Sequence, residues 1–481
     1  MIPSDQAGVA PPEGVHVVEA PVSDRVRSPV DVLRLLTATV MIVLVVVVEW
    51  LFGNTLEAFA AELFAGLAAV PGWLVDVVVT GSRLLAVGLL VTGVVVVVRG
   101  GHARPVLPLV VAAVVAAALA SLLDITEPAS AGAALDAGGP VGPLADAGFP
   151  TAAGLAAAAA ATTAAAPWLA RGWRQLCWTA VFGLATVLFL ATPASFDPLE
   201  AVLLGWLAGA AAVVVFGGPS RRPRGGAVVA GLAAVGVPVV RLEQASVDAR
   251  GSTPYFGETA DGERLFVKTL GDDERSADRL FRLYRRVVPR DLGDEQPFSS
   301  LRRAVEHEAL VALAALAYGV RTPRLVALAP AEPNGFVLAY EAVDGSSLDR
   351  LTPDEVTDDV LGAVWSEVVQ LRSHRVAHRD LRLANIFLAA DGEAWLIDFG
   401  FSELVASDLL LSTDLAELVA SSALQVGSER AVARAADAVG EDTLRTALPR
   451  LHPWALSGAT RTALKGRPGL LDDVRARITA A

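Results

Sequence analysis

Cysteine is all but missing. Cys177 is the only one in 481 residues, so no disulfide closes within the chain and no cysteine-based zinc site is available. Lysine is almost as scarce: of the 39 Lys and Arg residues only Lys268 and Lys465 are lysine, and the Arg-, Ala- and Val-rich bias is that of GC-rich coding. There are six histidines, and His102 is the only one between His16 and His307. Histidine chemistry is therefore almost excluded from the first half. The formal net charge of −13 argues against nucleic acid as a partner. The polar first thirty or so residues do not have the apolar run of a cleavable signal peptide.

What is present in excess is apolar surface. The chain is 53% hydrophobic, too apolar for an ordinary soluble protein. The apolar residues crowd before Pro219, and nearly all the charge follows it. That asymmetry predicts a membrane half and a soluble half. Six apolar segments are read as spans: Val32–Phe52, Val77–Val98, Pro105–Leu123, Thr151–Ala170, Leu176–Ala191 and Leu199–Phe216. Arg25, Arg27 and Arg34, then Arg99 and Arg104, then Arg171 and Arg174, then Arg221, Arg222 and Arg224 all fall on one side of such a bundle. The acidic loop Asp124–Pro150 falls on the other. Both termini and the soluble half are then cytoplasmic. Asp76 and Arg83, near the second span, read either as the interfacial end of a helix or as an intramembrane pair. The expected boundaries are a disordered tail at 1–30, a membrane domain at 31–217, a linker at 218–236 containing most of GGPSRRPRGG, and a soluble domain at 237–481.

The soluble half carries the chemistry. His378–Gly400 reads HRDLRLANIFLAADGEAWLIDFG. Phosphoryl transfer from Mg·ATP needs an aspartate to orient an acceptor hydroxyl, and oxygen ligands for the metal, at this spacing: Asp380 for the first, Asn385 and Asp398 for the second. Arg382, two residues after Asp380, is placed to neutralise transferring charge. Lys268 ends the alternating run Leu265-Phe266-Val267-Lys268. A lysine here, in a chain that otherwise uses arginine, suits a compact cation for the α- and β-phosphates. Its partner is expected to be Glu308, whose helical neighbours Ala304, Val305, Val311 and Ala312 are apolar, rather than Glu306 beside Arg302 and Arg303. Gly251, Ser252 and Thr253 precede the strand of Lys268 and offer donors to phosphates, although G-x-G-x-x-G is absent. Backbone groups of Glu341 to Val343 are expected to hold adenine. His378 and Arg379 support the catalytic loop. Asp414 reads either as a brace for that loop or as an acidic residue at a helix start.

H-R-D-L-x-x-x-N followed by I-D-F-G resembles the protein-kinase-like superfamily, and H-E-A-L then G-V-x-T-P resembles its atypical small kinases of the RIO, AarF, aminoglycoside-phosphotransferase and tRNA-modification kinds. No A-P-E follows Gly400, which turns the expected acceptor away from peptides. The first half is similar to type-2 phosphatidic-acid phosphatases at GFPTAAGLAAAA (Gly148–Ala159) and ATPASFDPLEAVLLGWLAG (Ala191–Gly209). That family's histidines are missing, with Ala153 where one belongs, so phosphatase activity is not expected. The fold implied is multi-domain: an all-α six-helix membrane bundle followed by an α+β two-lobed protein-kinase-like domain. The activity implied is a membrane-anchored ATP-dependent phosphotransferase using Mg²⁺, acting on a lipid or envelope-related hydroxyl. The rival is an ATP-binding sensor or scaffold coupled to a lipid-binding membrane part. Membrane lipids are the expected partners. By analogy with bacterial chains that fuse kinase-like regions to a lysylphosphatidylglycerol-synthase-type domain, a separate flippase-type protein is another.

Overall fold

The structure, a computed structural model, describes residues 12, 14–21, 25–67, 73, 77, 80–82, 84–88, 106–123, 150–169, 171–191, 197–220, 222–245, 252–271, 301–333 and 335–480. The chain divides into two compact units. One comprises Met1–Gln6 and Val22–Ser220; the other comprises Ala7–Pro21 and Arg221–Ala481. The N-terminal segment thus contributes strand β1 (His16–Val18) to the second unit before β2 (Arg25–Val26) opens the first.

The first unit is helical: α1 (Pro29–Leu67), α2 (Val106–Leu122), α3 (Ala152–Ala165), α4 (Arg171–Ala191) and α5 (Asp197–Phe216). Its core is rich in small side chains, among them Ala112 and Ala116 of α2, Ala156, Ala159 and Ala160 of α3, and Ala201 and Ala208 of α5. Without large residues between them the backbones approach closely. A Cβ at Gly205 would lie 2.3 Å from the Ala156 carbonyl oxygen, and one at Gly209 would lie 2.5 Å from Thr163 Cβ. Helix α3 starts at a capping residue: Thr151 accepts a hydrogen bond from the Gly154 amide at 2.9 Å. Strand β3 (Gly218–Pro219) pairs antiparallel with β2, so the segments entering and leaving the unit lie side by side. Arg25 and Arg27 donate to the Phe216 and Val215 carbonyls at the C-terminal end of α5.

Many of the exposed residues of α1 between Val32 and Phe52 are apolar, among them Val40 and Trp50. By length and composition, Val30–Phe52 and Asp197–Phe216 qualify to cross a membrane, as does Asp408–Val426 in the second unit. The last has most of its length buried and is a core helix. Helices α2 and α3 are apolar but, at 17 and 14 residues, short for a bilayer. The expected six-helix membrane bundle is therefore not shown. Alanine-rich runs form helices in a core as readily as in a bilayer, so apolar composition alone does not number the spans. Most of the expected second span, with Asp76, Arg83, Arg99 and Arg104, lies outside the described residues, as do the acidic residues of the 124–150 loop.

The second unit has two lobes. Its six-stranded sheet has the order β1-β4-β5-β6-β8-β7, with β4 (Val239–Gln244), β5 (Thr253–Thr259), β6 (Arg264–Leu270), β7 (Leu325–Ala331) and β8 (Gly335–Glu341) antiparallel and β1 added parallel at the edge. The turn Asp261-Gly262 joins β5 to β6, with Gly262 at φ +84°. Helix α6 (Gly225–Ala234) buries Val228, Val229 and Leu232 against Leu242, Tyr255, Val267 and Val337. Residues expected as linker are thus part of this lobe. So is part of the expected disordered tail: Glu19, just after β1, accepts from the Gly225 amide at 2.9 Å and from the Tyr255 hydroxyl. Helix α7 (Leu301–Ala317) packs Val305 and Ala309 with Leu338.

The second lobe continues through β9 (Gly345–Ser347), α8 (Asp358–Ser373), β10 (Ile386–Ala389), β11 (Ala394–Leu396), α9 (Asp408–Val426), α10 (Ser428–Val439), α11 (Glu441–Arg445), α12 (Gly458–Leu464) and α13 (Leu470–Ala480). One core gathers Leu361 and Trp365 of α8 with Leu415 and Leu418 of α9 and with Phe399.

Candidate active site

Strand β6 delivers Lys268 to the boundary between the lobes. Its alternation buries Leu265 and Val267 on one face, and the ladder places Lys268 opposite Leu338. The ammonium donates to Glu308 Oε1 at 2.9 Å and to Asp398 Oδ1 at 2.8 Å. Glu308 comes from α7 and is nearly fully buried, whereas Glu306 makes the exposed pair with Arg302 on the opposite side. Burial works against the charge of Lys268. The carboxylates of Asp398 and Glu308 outweigh it and hold the ammonium protonated well above the ordinary lysine range. Burial would raise Asp398, but Lys268 holds it below the usual carboxylate range. At Glu308 burial wins over Lys268 and pushes the carboxyl up. Gly400 closes the cluster: a Cβ there would stand 3.1 Å from Glu308 Oε2 and 3.5 Å from Lys268 Nζ.

Asp380 is held by two neighbours. Asn385 Nδ2 donates at 2.8 Å both to its carboxylate and to its backbone carbonyl, and Arg382 Nε lies 3.1 and 3.2 Å from its two carboxylate oxygens. With both amide donors spent, Asn385 keeps its side-chain oxygen for another partner. Asp398 likewise has Oδ2 outside the hydrogen bonds to Lys268 and Gly400. These oxygens are the hard donors that a magnesium ion takes. No group of three His, Cys, Asp or Glu side chains gathers as a metal site among the described residues, so such an ion would complete its shell with water and phosphate oxygens.

The loop carrying Asp380 is fixed from below. Asp414, in the second turn of α9 rather than at its start, accepts from the amides of His378 at 2.6 Å and Arg379 at 2.7 Å. It is therefore the brace. Burial raises its carboxyl to about 7, with those amides pulling the other way. The His378 ring bonds the Ile397 carbonyl at 3.0 Å and packs 5.0 Å from the Phe399 ring; burial lowers its basicity. Arg379 and Asp398 both have left-handed backbones, φ 65° and 66°, a conformation that costs free energy in non-glycine residues.

The nucleotide-side residues are less complete. Gly251 lies outside the described residues. The Ser252 hydroxyl is buried without a hydrogen-bond partner, and Thr253 is fully buried at the start of β5, beside Pro254, which pairs with Lys268. The Glu341 amide is taken by the Arg324 carbonyl and that of Ala342 by the Arg264 carbonyl, so Val343 is the first hinge residue beyond those bonds. The sequence reading overlooked two groups. The Tyr340 hydroxyl lies 3.4 Å from Glu308 Oε1, and Glu403 pairs with Arg379 at 3.4 Å while exchanging both backbone hydrogen bonds with Ala377. Tyr340 lies in β8, directly before Glu341. Glu403 follows Gly400 with no local signal.

A family model described as the lipopolysaccharide kinase (Kdo/WaaP) family matches residues 272–438, about a third of the chain. Serine/threonine-protein kinase 36 of Pongo abelii is 26% identical over 137 residues, which is 27% of this chain and 10% of that protein. Serine/threonine-protein kinase pak-1 of Caenorhabditis elegans is 43% identical over 69 residues, 14% of this chain and 12% of that protein. The chain thus spans only about a tenth of the length of these relatives. The family match leaves residues 1–271 uncovered, and the likeness to phosphatidic-acid phosphatases is not shown. For the C-terminal region, the matches and the two-lobed architecture agree on a protein-kinase-like fold.

Proposed function

We propose that the chain is a membrane-anchored phosphotransferase that moves the γ-phosphoryl group of ATP to a hydroxyl of a lipid or envelope component. The observation that carries this reading is the Lys268 ammonium held between Glu308 and Asp398, beside an Asp380 oriented by Asn385. In this reading Lys268 holds the α- and β-phosphates, and Glu308 positions Lys268. Ser252 and Thr253 cover the phosphates and the hinge around Glu341 and Val343 receives adenine. Asp398 and Asn385 hold Mg²⁺, which neutralises phosphate charge when bound. Asp380 orients the acceptor hydroxyl and takes its proton as the O–P bond forms and the bond to the ADP oxygen breaks. Arg382 stabilises the charge on the moving group.

The description of the matching family favours a saccharide or lipid-linked hydroxyl over a peptide. Strands β1 and β4 are neighbours in one sheet, so a chain that crosses a bilayer between them does so an even number of times, in accord with an anchored domain and both flanks on the cytoplasmic side. Membrane lipids and a separate flippase-type protein are the partners this reading takes in.

One feature favours a second reading, an ATP-binding sensor without transfer: Arg382 contacts both oxygens of Asp380 and blocks the base. Full-length protein in detergent separates the two. Mg-dependent ATP binding with turnover, lost in Lys268→Ala and Asp398→Asn, is the expected result. Nucleotide binding that survives with no turnover, and is indifferent to Asp380→Asn, would leave the sensor. No nucleotide binding by the folded protein would overturn both.

A further inference from the structure

Between Asp442 and Asp472 the chain has no acidic residue, yet it carries Arg445, Arg450, Arg461, Lys465 and Arg467. In a chain of net charge −13 this is a local reversal of sign. Elsewhere in the same unit arginines are matched to carboxylates, as in Arg321 with Glu367 and Glu393, Arg375 with Asp408 and Arg430 with Asp358. Arg445 too is matched, to Glu441 and Asp442. Arg461, Lys465 and Arg467 form no ion pair among the described residues, and the last two are exposed.

The same stretch presents an aromatic. Trp454 is 57% exposed although Leu451, Ala455 and Leu456 around it are buried. The Ala455 amide closes a turn onto the His452 carbonyl, and Pro453 is exposed beside it. Leu451 and Leu456 anchor the turn in the main core, so Trp454 stands on a rigid mount. Helix α12 is held in place next to it. The buried Glu417 of α9 accepts from the Ser457 amide at 2.7 Å and from the Thr460 hydroxyl, and Arg461 follows directly. An exposed indole in the same short stretch as cations that form no ion pair among the described residues suits the boundary between anionic headgroups and acyl chains, where the ring takes the apolar side and the cations the phosphates.

We propose that residues 452–468 are a docking surface for an anionic lipid bilayer. The partner is argued from charge complementarity, from the indole, and from α1 and α5, which qualify by composition to hold the chain at a membrane. This surface requires no phosphoryl transfer and stands apart from that reading.

The test uses the full-length protein in nanodiscs of phosphatidylcholine, with or without phosphatidylglycerol, and tryptophan quenching by brominated lipid in the absence of nucleotide. Trp454 is one of nine tryptophans, so phosphatidylglycerol is expected to add quenching of roughly a ninth of the emission. That increment should vanish at high salt, in Trp454→Phe, and in the combined Arg461→Gln, Lys465→Gln and Arg467→Gln variant, which spares the buried core. No increment in the wild type, or an increment that both variants keep, overturns the proposal. Equal protection of Trp454 in neutral discs, dependent on protein concentration, would assign the surface to a second copy instead and also overturn it.

Discussion

Lys268 donates to Asp398 at 2.8 Å while Glu308 holds the same ammonium at 2.9 Å, so a single cation serves two carboxylates. With both carboxylates ionised the cluster has one negative charge in excess, and Asp398 Oδ2 lies outside the hydrogen bonds to Lys268 and Gly400. Removing the lysine leaves two acidic groups facing each other with nothing between them. Lys268→Met should therefore destabilise the C-terminal unit by roughly 3–5 kcal/mol, the usual cost of stripping one partner from a buried pair. Mg²⁺ should recover more stability in this variant than in the wild type, and adding Asp398→Asn should abolish the recovery. Thermal unfolding with and without Mg²⁺ reads both effects; equal metal responses in all three proteins would contradict them.

Asp414 sets a pH dependence of opposite sign to the usual acid unfolding. Its carboxyl is raised from 3.8 to about 7, so the folded protein binds the proton more tightly than the unfolded chain. The stabilisation it gives is complete below pH 3.8 and is lost as the pH rises through about 7. Asp414→Asn should flatten that part of the profile between these values. It should also loosen the loop of Asp380, because an amide has one oxygen to offer the two backbone donors from His378 and Arg379. Melting temperatures of both proteins across that interval are the measurement, and parallel curves would count against the assignment.

Among the described glycines of the helical unit, Gly205 has the tightest surroundings. Its Cβ would meet a backbone oxygen at 2.3 Å, and backbone cannot rotate away as a side chain can. Gly205→Val should separate α3 from α5 and cost about 1–3 kcal/mol or more. The Ala-for-Gly change at Gly81, which has open space around it, should be close to neutral. Resistance to unfolding in detergent distinguishes the two variants.

Residues with local chemical signatures were the legible ones. The spacing from Asp380 to Asn385 and Asp398 lies within one continuous stretch, and Lys268 stood out because the chain spends so few lysines. Glu308 could be separated from Glu306 because a helix sends the two to different faces, and the structure puts one in the core and the other in solvent. Distant pairings left no such trace. Strand β1 is three residues long and finds its partner more than two hundred residues later, so neither alternation nor composition marks it. Helix α6 reads as a short helix behind an Arg- and Gly-rich linker, with nothing local to show that its Val228 and Leu232 close the sheet. Apolar content told that the first half is helical but not which helices cross a bilayer, since the same alanines that suit lipid also suit the tight contacts of α3 with α5.

The pairing of β2 with β3 has a consequence for the order in which the chain can assemble. Taken alone, β1 must wait for a strand synthesised after the whole helical unit, across a loop of more than two hundred residues. Once β2 and β3 have joined, that unit acts as a splint, and the open chain between β1 and β4 shrinks to roughly thirty residues, lowering the entropic cost of closure by about 2 kcal/mol. Strand β1, made before the helical unit, thus finds its partner only after that unit has been made.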